Sequence, residues 1–590
     1  MRVSLEKKRS AQKRDSNWRV RVVFSVITVG FMVIGIRLYM LQVSAYDLYS
    51  SFAENQHTAF HTLQAKRGEI FLRDGKDRYP IAVNKNYPMV FVSPREVKDK
   101  NAVILGLSKV LSMSSEEIEQ HFDDMNDPFE VIAKKVTEEQ AKSLQDMRLS
   151  GVYNVDETYR FYPSDRMASQ VVGFVGSDEK TIRGRYGIES YWEDTLRGAD
   201  GAIRQSRDSG GRWIAIADRE LIPAQDGANI ILTLDKSVQY KVERILQETV
   251  EMHQAKSGSI LVMEPKTGKI LAMASYPDFN PNEYGITEDI ANFMNPSVNL
   301  AYESGSVFKP FTLAMGIDMK KISPETIYTD TGEVHSSGYV IKNSDGKSHG
   351  IQTMTNVLEE SLNTGTVFVQ QAVGNKDFSD YVHRFGFGEK SGIELPGEIS
   401  GNIRNLDFLK RDINFYTASF GQGISVTPIQ LANAYSVLAN GGNLMKPHIV
   451  DRIEYPDGSL KIIEPEVVRK VIQESTSEAI KNMLRSVVVN GHGKKADVPG
   501  YLVAGKTGTA QVAKSESKGY EDAMNIGSFA GFAPLDDPQF VVLVKIDNPK
   551  DVQWAESSAA PAFRDVMSFL LEHFKIEPTE EYSVRQLQKR

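Results

Sequence analysis

The chain has no cysteine among its 590 residues. That absence excludes disulfide scaffolds, thiolate nucleophiles, Cys-ligated zinc and iron–sulfur clusters. A basic surplus is also missing: 69 Lys and Arg face 77 Asp and Glu, for a formal net charge of −8. A mildly acidic chain lacks the electrostatic footprint of a dedicated nucleic-acid binder, so nucleic acid is not expected as a partner. Glycine (44) and proline (23) stay near background, which rules out a collagen-like or Pro/Gly-disordered chain. There is no fixed-period repeat. Gly441-Gly442 lacks phosphate-loop spacing and reads as a turn. What remains is an ordinary globular composition, 41% apolar and 25% charged, with ample material for several cores.

The charge is uneven. Residues 1–21 hold eight basic groups against Glu6 and Asp15, and they read as a cytoplasmic basic tail. An uncharged run, VVFSVITVGFMVIGI, follows from Val22, is broken by Arg37 and resumes to Leu41. Residues 22–41 supply the roughly 20 helical residues that a bilayer core requires, with Arg37 snorkelling to the interface. Basic residues before the span hold that end inside, so a single-pass anchor with an extracytoplasmic remainder is expected, in the plasma (inner) membrane. Val43-Ser44-Ala45 leaves open a cleaved signal peptide. No second apolar run of this length follows.

Residues 42–225 read as a mixed α/β, rather polar region. A strand pair is expected around the Asp74-Gly75 turn, and helices after Asn101, after Ser114/Ser115 and after Thr137. Beyond residue 226, NIILTLD reads as a strand and KSVQYKVERILQETVEMH as an amphipathic helix. SGSILVMEPKTGKILAMASYP then reads as two strands around a Pro-Lys-Thr-Gly turn. This pattern predicts an α+β domain over 226–570, with 571–590 as a charged tail. His57 and His61 would share a face if helical, but two histidines without a third ligand make a poor metal site. His349 reads as structural.

Three short motifs carry chemistry, and each alone is weak. Ser-x-x-Lys occurs at Ser306/Lys309 and also at Ser4, Ser177, Ser344 and Ser515, which lie in polar stretches. Only Ser306 precedes an apolar, helix-capable segment, and no Gly-x-Ser-x-Gly elbow surrounds it. At a helix start Ser306 and Lys309 share a face, and an amine kept neutral by burial or a neighbouring cation can take the hydroxyl proton. Ser361-Leu362-Asn363 offers a second hydroxyl to relay a proton and an amide to bind a peptide carbonyl. Lys506-Thr507-Gly508-Thr509 lies in a predicted strand, YLVAGKTGTAQV, whose glycines permit close approach by an extended peptide. The earlier Lys-Thr-Gly, at Lys266, follows Pro265 and reads as a hairpin turn.

The order Ser306, Ser361, Lys506 within one domain is the trio of penicillin-binding proteins and class A β-lactamases. Over nearly its whole length the chain resembles a class B penicillin-binding protein. ESGSVFK at Glu303 matches the nucleophile motif, with Ser304 where the family usually has proline. KRGEI at Lys66, RFYP at Arg160, GIESYWEDTLRG at Gly187, LTLDKSVQ at Leu232, the Gly421 block and AAPAF at Ala559 resemble its other landmarks.

The resemblance implies a multi-domain protein. It would have a single transmembrane helix, a dimerisation or pedestal domain (42–225) and a transpeptidase domain (226–570) with an antiparallel sheet flanked by helices, as in serine β-lactamases. It further implies a stem peptide of nascent peptidoglycan ending in D-Ala-D-Ala as substrate, with β-lactams as covalent inhibitors. Ser306 would be the nucleophile, Lys309 the base, Ser361 and Lys506 the proton relay, and Asn363, Thr507, Gly508 and Thr509 the peptide-binding groups. Backbone amides of Ser306 and Thr509 would form the oxyanion hole. Neither metal nor cofactor is implied. A SEDS-type glycosyltransferase and division-complex proteins are the implied partners. The tract from Lys506 to Pro549 resembles the septal, FtsI-type enzyme more than the elongation type. A D,D-carboxypeptidase or penicillin sensor, and a non-catalytic divisome scaffold, are the rival readings.

Overall fold

The computed structural model describes residues 3–44, 58–178, 181–206, 220–336, 338–513 and 520–579. Two compact units emerge, one from residues 1–66 and 198–226, the other from 67–197 and 227–590.

In the first unit, a helix runs over Val3–Tyr39 and closes in a π-turn at Met40–Ser44. Its Trp18–Val43 stretch is long and apolar enough to cross a membrane, and none of its apolar window is buried in protein. The same unit holds a three-stranded antiparallel sheet, Thr58–Leu63 beside Gly201–Ser206 beside Glu220–Ile222. His61 therefore sits on a strand, opposite Ile203, and not on a helix. Thr58, Phe60 and Thr62 are strand-favouring residues at alternate positions, and that pattern overrides the i,i+4 histidine spacing. His57 lies outside the described residues.

The second unit is built around two sheets. One is mixed and takes strands from both sides of residue 226. Asn229–Asp235 pairs in parallel with Ile70–Asp74 and antiparallel with Val450–Glu454. The Ile70 strand continues through the expected hairpin into Asp77–Val92, which carries Val152–Phe161 and Glu130–Ala133. Helices Lys100–Leu111, Ser115–Gln120 and Glu138–Met147 close a small core over this end, around Val103, Leu107, Ile118 and Leu144. Thr137 and Gln140 form a reciprocal capping box, and Ser114 caps the middle helix.

A buried ionic knot joins three sequence landmarks of this unit. Glu189, fully buried, accepts from Arg67 Nε (2.8 Å) and Arg160 Nε (2.6 Å), and Arg67 Nη2 also reaches Glu193 (2.7 Å). Burial alone would raise the Glu189 carboxyl, but the two guanidinium groups outweigh it and hold the pKa below the ordinary value.

The second sheet is antiparallel. Its strands are β1 (Ser257–Met263), β2 (Ile270–Tyr276), β3 (Ala504–Ala513), β4 (Tyr520–Ala533) and β5 (Phe540–Asp547), in the spatial order β2-β1-β5-β4-β3. Alternate residues feed opposite cores. Ile260, Val262, Val542 and Val544 face helices α1 (Lys236–Met252) and α7 (Ala559–His573). Leu261, Met263, Val541 and Leu543 face α2 (Lys309–Asp318), α5 (Pro428–Ala439) and α6 (Glu474–Val489). Covered on both faces, these strands read as continuous apolar runs, and each buried aliphatic or aromatic side chain contributes about 2 kcal/mol. All twelve residues of α5 are buried, and Thr427 and Gln430 form a capping box at its start, with Pro428 in the first turn. The first Lys-Thr-Gly is the β1–β2 turn, closed by Gly268 N–H to Glu264 O. Strand β3 pairs only with β4, so its other edge is unpaired by any described strand. Helices α3 (Met354–Glu359) and α4 (Asn363–Val373) follow one another beside α2.

Candidate active site

Ser306 lies in a 3-10 turn, Gly305–Phe308, that runs directly into α2. Three residues per turn eclipse side chains at i and i+3, and the Lys309 N–H closes the turn on Ser306 O. The tight turn, rather than an α-helical start, therefore places residues 306 and 309 on one face. Pro310 lies in the first turn of α2, where its missing N–H costs nothing.

Two glycines allow this turn to dock. Gly421, at φ +76°, accepts the Gly305 N–H at 3.0 Å, and a Cβ there would lie 2.3 Å from Gly305 O. On β3, a Cβ at Gly508 would lie 2.8 Å from Val307 Cγ1 and 3.0 Å from Ser304 O. The Ser306 turn thus lies against the strand edge. Ser304 fills the family's proline position with φ −76°, which proline also adopts, and its buried hydroxyl has no hydrogen-bond partner among the described residues.

Lys309 is fully buried and donates from Nζ to Ser361 O (2.5 Å) and Ser361 Oγ (3.2 Å). Ser361 joins α3 to α4 in the left-handed region, at φ +55°, which is costly for a residue other than glycine. Lys506 is likewise buried, its Nζ donating to Thr507 O (3.1 Å) and Oγ1 (3.3 Å). Both amines are perturbed. Burial, and then the neighbouring Lys506 charge, push Lys309 well below the ordinary lysine range. Burial brings Lys506 down to about 7, opposed by the Glu556 carboxylate. The Lys506 charge thus disfavours a proton on Lys309, while the Glu556 carboxylate favours one on Lys506.

A cavity of about 970 Å³ opens over this cluster. Ser306, Ser361, Asn363, Thr507 and Thr509 line it, and Lys309 and Lys506 lie behind its wall. Gly508 is not on the wall but supports it by admitting the Ser304–Val307 turn. Asn363 spends one N–H on Lys342 O (2.8 Å), which leaves the other and its oxygen for a ligand. The Thr509 hydroxyl accepts from Ala555 N (3.2 Å) and so ties down the 548–558 segment, whose Trp554 and Glu556 form the opposite rim. Glu556 also faces His492 at 3.5 Å. The sequence reading missed His492, Trp554 and Glu556: no spacing links them to the three motifs. Ser344/Lys347 belongs to a turn near the rim, and His349 pairs with Asp345 (3.0 Å) in a structural contact. No group of three metal-ligating side chains occurs among the described residues.

Residues 258–568 match the penicillin binding protein transpeptidase domain, and residues 62–232 the penicillin-binding protein dimerisation domain. The chain belongs to the class B penicillin-binding proteins. Among its class B relatives, Stage V sporulation protein D of Bacillus subtilis is 34% identical over 577 residues, covering 96% of this chain and 88% of that protein. The probable peptidoglycan D,D-transpeptidase PenA of Neisseria meningitidis serogroup A is 30% identical, covering 96% and 94%. Penicillin binding protein 3 of Mycobacterium tuberculosis, solved in complex with aztreonam, superposes with a TM-score of 0.67 at 26% identity, covering 88% of this chain and 98% of that one.

Proposed function

We propose that this peptidoglycan D,D-transpeptidase forms its acyl-enzyme on Ser306, with Lys309 as the base. The observation that carries the reading is the buried Lys309 amine, three residues beyond Ser306, hydrogen-bonded to Ser361 and pushed well below its usual pKa by burial. An extended stem peptide pairs with the unpaired edge of β3. Ser306 Oγ attacks the carbonyl between the two D-alanines while Lys309 takes its proton. The developing oxyanion is met by the backbone amides of Ser306 and Thr509, a kind of contact whose loss typically costs about 3 kcal/mol. The C–N bond breaks, and the departing D-alanine takes a proton by way of Ser361 and Lys506. Asn363, Thr507 and Thr509 orient the peptide. An amine from a neighbouring strand then attacks the ester, forms the cross-link and returns the proton to Ser306. β-Lactams acylate the same hydroxyl.

The pedestal is assigned to residues 42–225, the transpeptidase domain to 226–570 and the charged tail to 571–590. The helix at Trp18–Val43 serves as a single-pass plasma-membrane anchor with its basic end in the cytoplasm. The setting is septal cell-wall synthesis, beside a SEDS-type glycosyltransferase and division proteins. The relative named for stage V sporulation favours a second setting, cross-linking confined to sporulation. Localisation during vegetative growth separates them, since midcell signal in dividing cells supports the first. For the chemistry, purified protein is given a pentapeptide and an acceptor amine. Cross-linked product that disappears in Ser306→Ala supports the reading. Predominant hydrolysis under saturating amine favours a carboxypeptidase, and a properly folded wild type that neither turns over peptide nor binds penicillin favours a scaffold.

A further inference from the structure

Helix α4 begins at Asn363, and its own N-cap, Leu362, has no side-chain oxygen. The first N–H groups of a helix need acceptors, and here they are supplied from 20 residues away. Asn343 Oδ1 accepts from Asn363 N (3.0 Å) and Thr364 N (3.3 Å). The amide orientation is fixed from behind. Asn343 Nδ2 donates to Asp330 Oδ2 (2.9 Å) and Lys347 O (3.0 Å), and an ionised carboxylate can only accept. Asp330 is itself immobilised by Thr364 Oγ1 (2.7 Å), Gly332 N (3.0 Å) and His349 N (2.8 Å). Asp330, Asn343 and Thr364 are 1%, 4% and 3% exposed, so the network is largely buried and meets the cavity only at Asn343, on its wall.

The same segment holds the Asn363 side chain, because its Nδ2 donates to Lys342 O. Main chain and side chain of Asn363 are therefore gripped by adjacent residues, 342 and 343. We propose that Asn343, anchored by Asp330, is a positioning residue that caps α4 in trans and thereby sets the Asn363 amide for the peptide. The inference rests on the reading of Asn363 as a peptide-binding group. A simple helix cap would stabilise the fold; this one also fixes the placement of an amide on the cavity wall, where an error of about 1 Å costs up to about a hundredfold in rate.

The test uses the full chain in detergent and the rate of acylation by a fluorescent penicillin, with thermal unfolding recorded alongside. Asn343→Ala slows acylation by about tenfold or more. Asn363→Ala slows it as well, and the double variant is no slower than N363A alone, because Asn343 then has nothing left to position. Losses that multiply in the double variant, or a wild-type rate in N343A, overturn the proposal. If N343A does not fold, Asp330→Asn goes through the same cycle under the same criteria. Hydrogen exchange in the wild type gives an independent readout: the 363 and 364 amides exchange as slowly as the interior of α4, and exchange like a frayed helix end overturns the cap. A wild-type rate in N363A would instead sink the reading of Asn363, while hydrogen exchange still decides whether the cap exists.

Discussion

At the scale of single residues, the site is governed by where one proton sits. In the proposed mechanism Lys309 must be neutral to accept the Ser306 proton, while Lys506 keeps its proton up to about 7. Acylation therefore rises from acid pH as Lys309 loses its proton, and falls above about 7 as Lys506 loses its own. A stopped-flow profile of penicillin acylation from pH 5 to 10 checks this. A rate still climbing toward the ordinary lysine pKa near 10.5 would contradict it. Stability carries the same signature. Between about 7 and 10.5 the unfolded chain holds a proton on residue 506 that the folded one does not, so folding stability increases with pH across that window. Ser304 gives a second test. Its φ of −76° suits proline, its N–H donates no hydrogen bond among the described residues, and its buried hydroxyl is unpaired. Ser304→Pro raises stability by about 1 kcal/mol in urea unfolding, and an equal loss would show that the hydroxyl has a hidden partner.

At the scale of elements, local signals were legible and long-range ones were not. Apolar runs such as SILVM and NIILTLD announced strands because both faces of each strand are buried. The helix starts after Ser114 and Thr137 were legible because each cap's partner is three residues away. The Asn343 cap left no such trace: its helix begins 20 residues later, and KNSDGKSH reads as an ordinary polar loop. Nor does periodicity record that Asn229–Asp235 pairs in parallel with Ile70–Asp74 across residue 226. The ionic knot falls between these cases. Arg67, Arg160 and Glu189 each lie in a landmark, but only the fold shows that they meet. Removing the buried acid strands two guanidinium groups, so Glu189→Ala loses about 3–5 kcal/mol. The contribution of Glu189 is full at neutral pH and is lost as acid protonates it below its lowered pKa. Denaturant curves of wild type and E189A at pH 7 measure the difference, and a loss under 1 kcal/mol would mean that solvent reaches the knot.

At the scale of the whole molecule, an apolar helix of membrane-spanning length and a cavity holding two depressed lysines belong to one chain. Motifs 55 residues and more apart along the sequence meet there: Ser306 against β3 through Gly508, Lys309 on Ser361, and Asn363 on the same wall. The three motifs were legible; what brought them together was the docking of the Ser306 turn between Gly421 and the edge of β3. If that convergence makes the enzyme, one hydroxyl is the nucleophile. Full-length protein labelled with penicillin, digested and read by tandem mass spectrometry will carry the adduct on Ser306, and Ser306→Ala will carry none. A stoichiometric adduct on any other serine, or undiminished labelling of the alanine variant, would contradict the account.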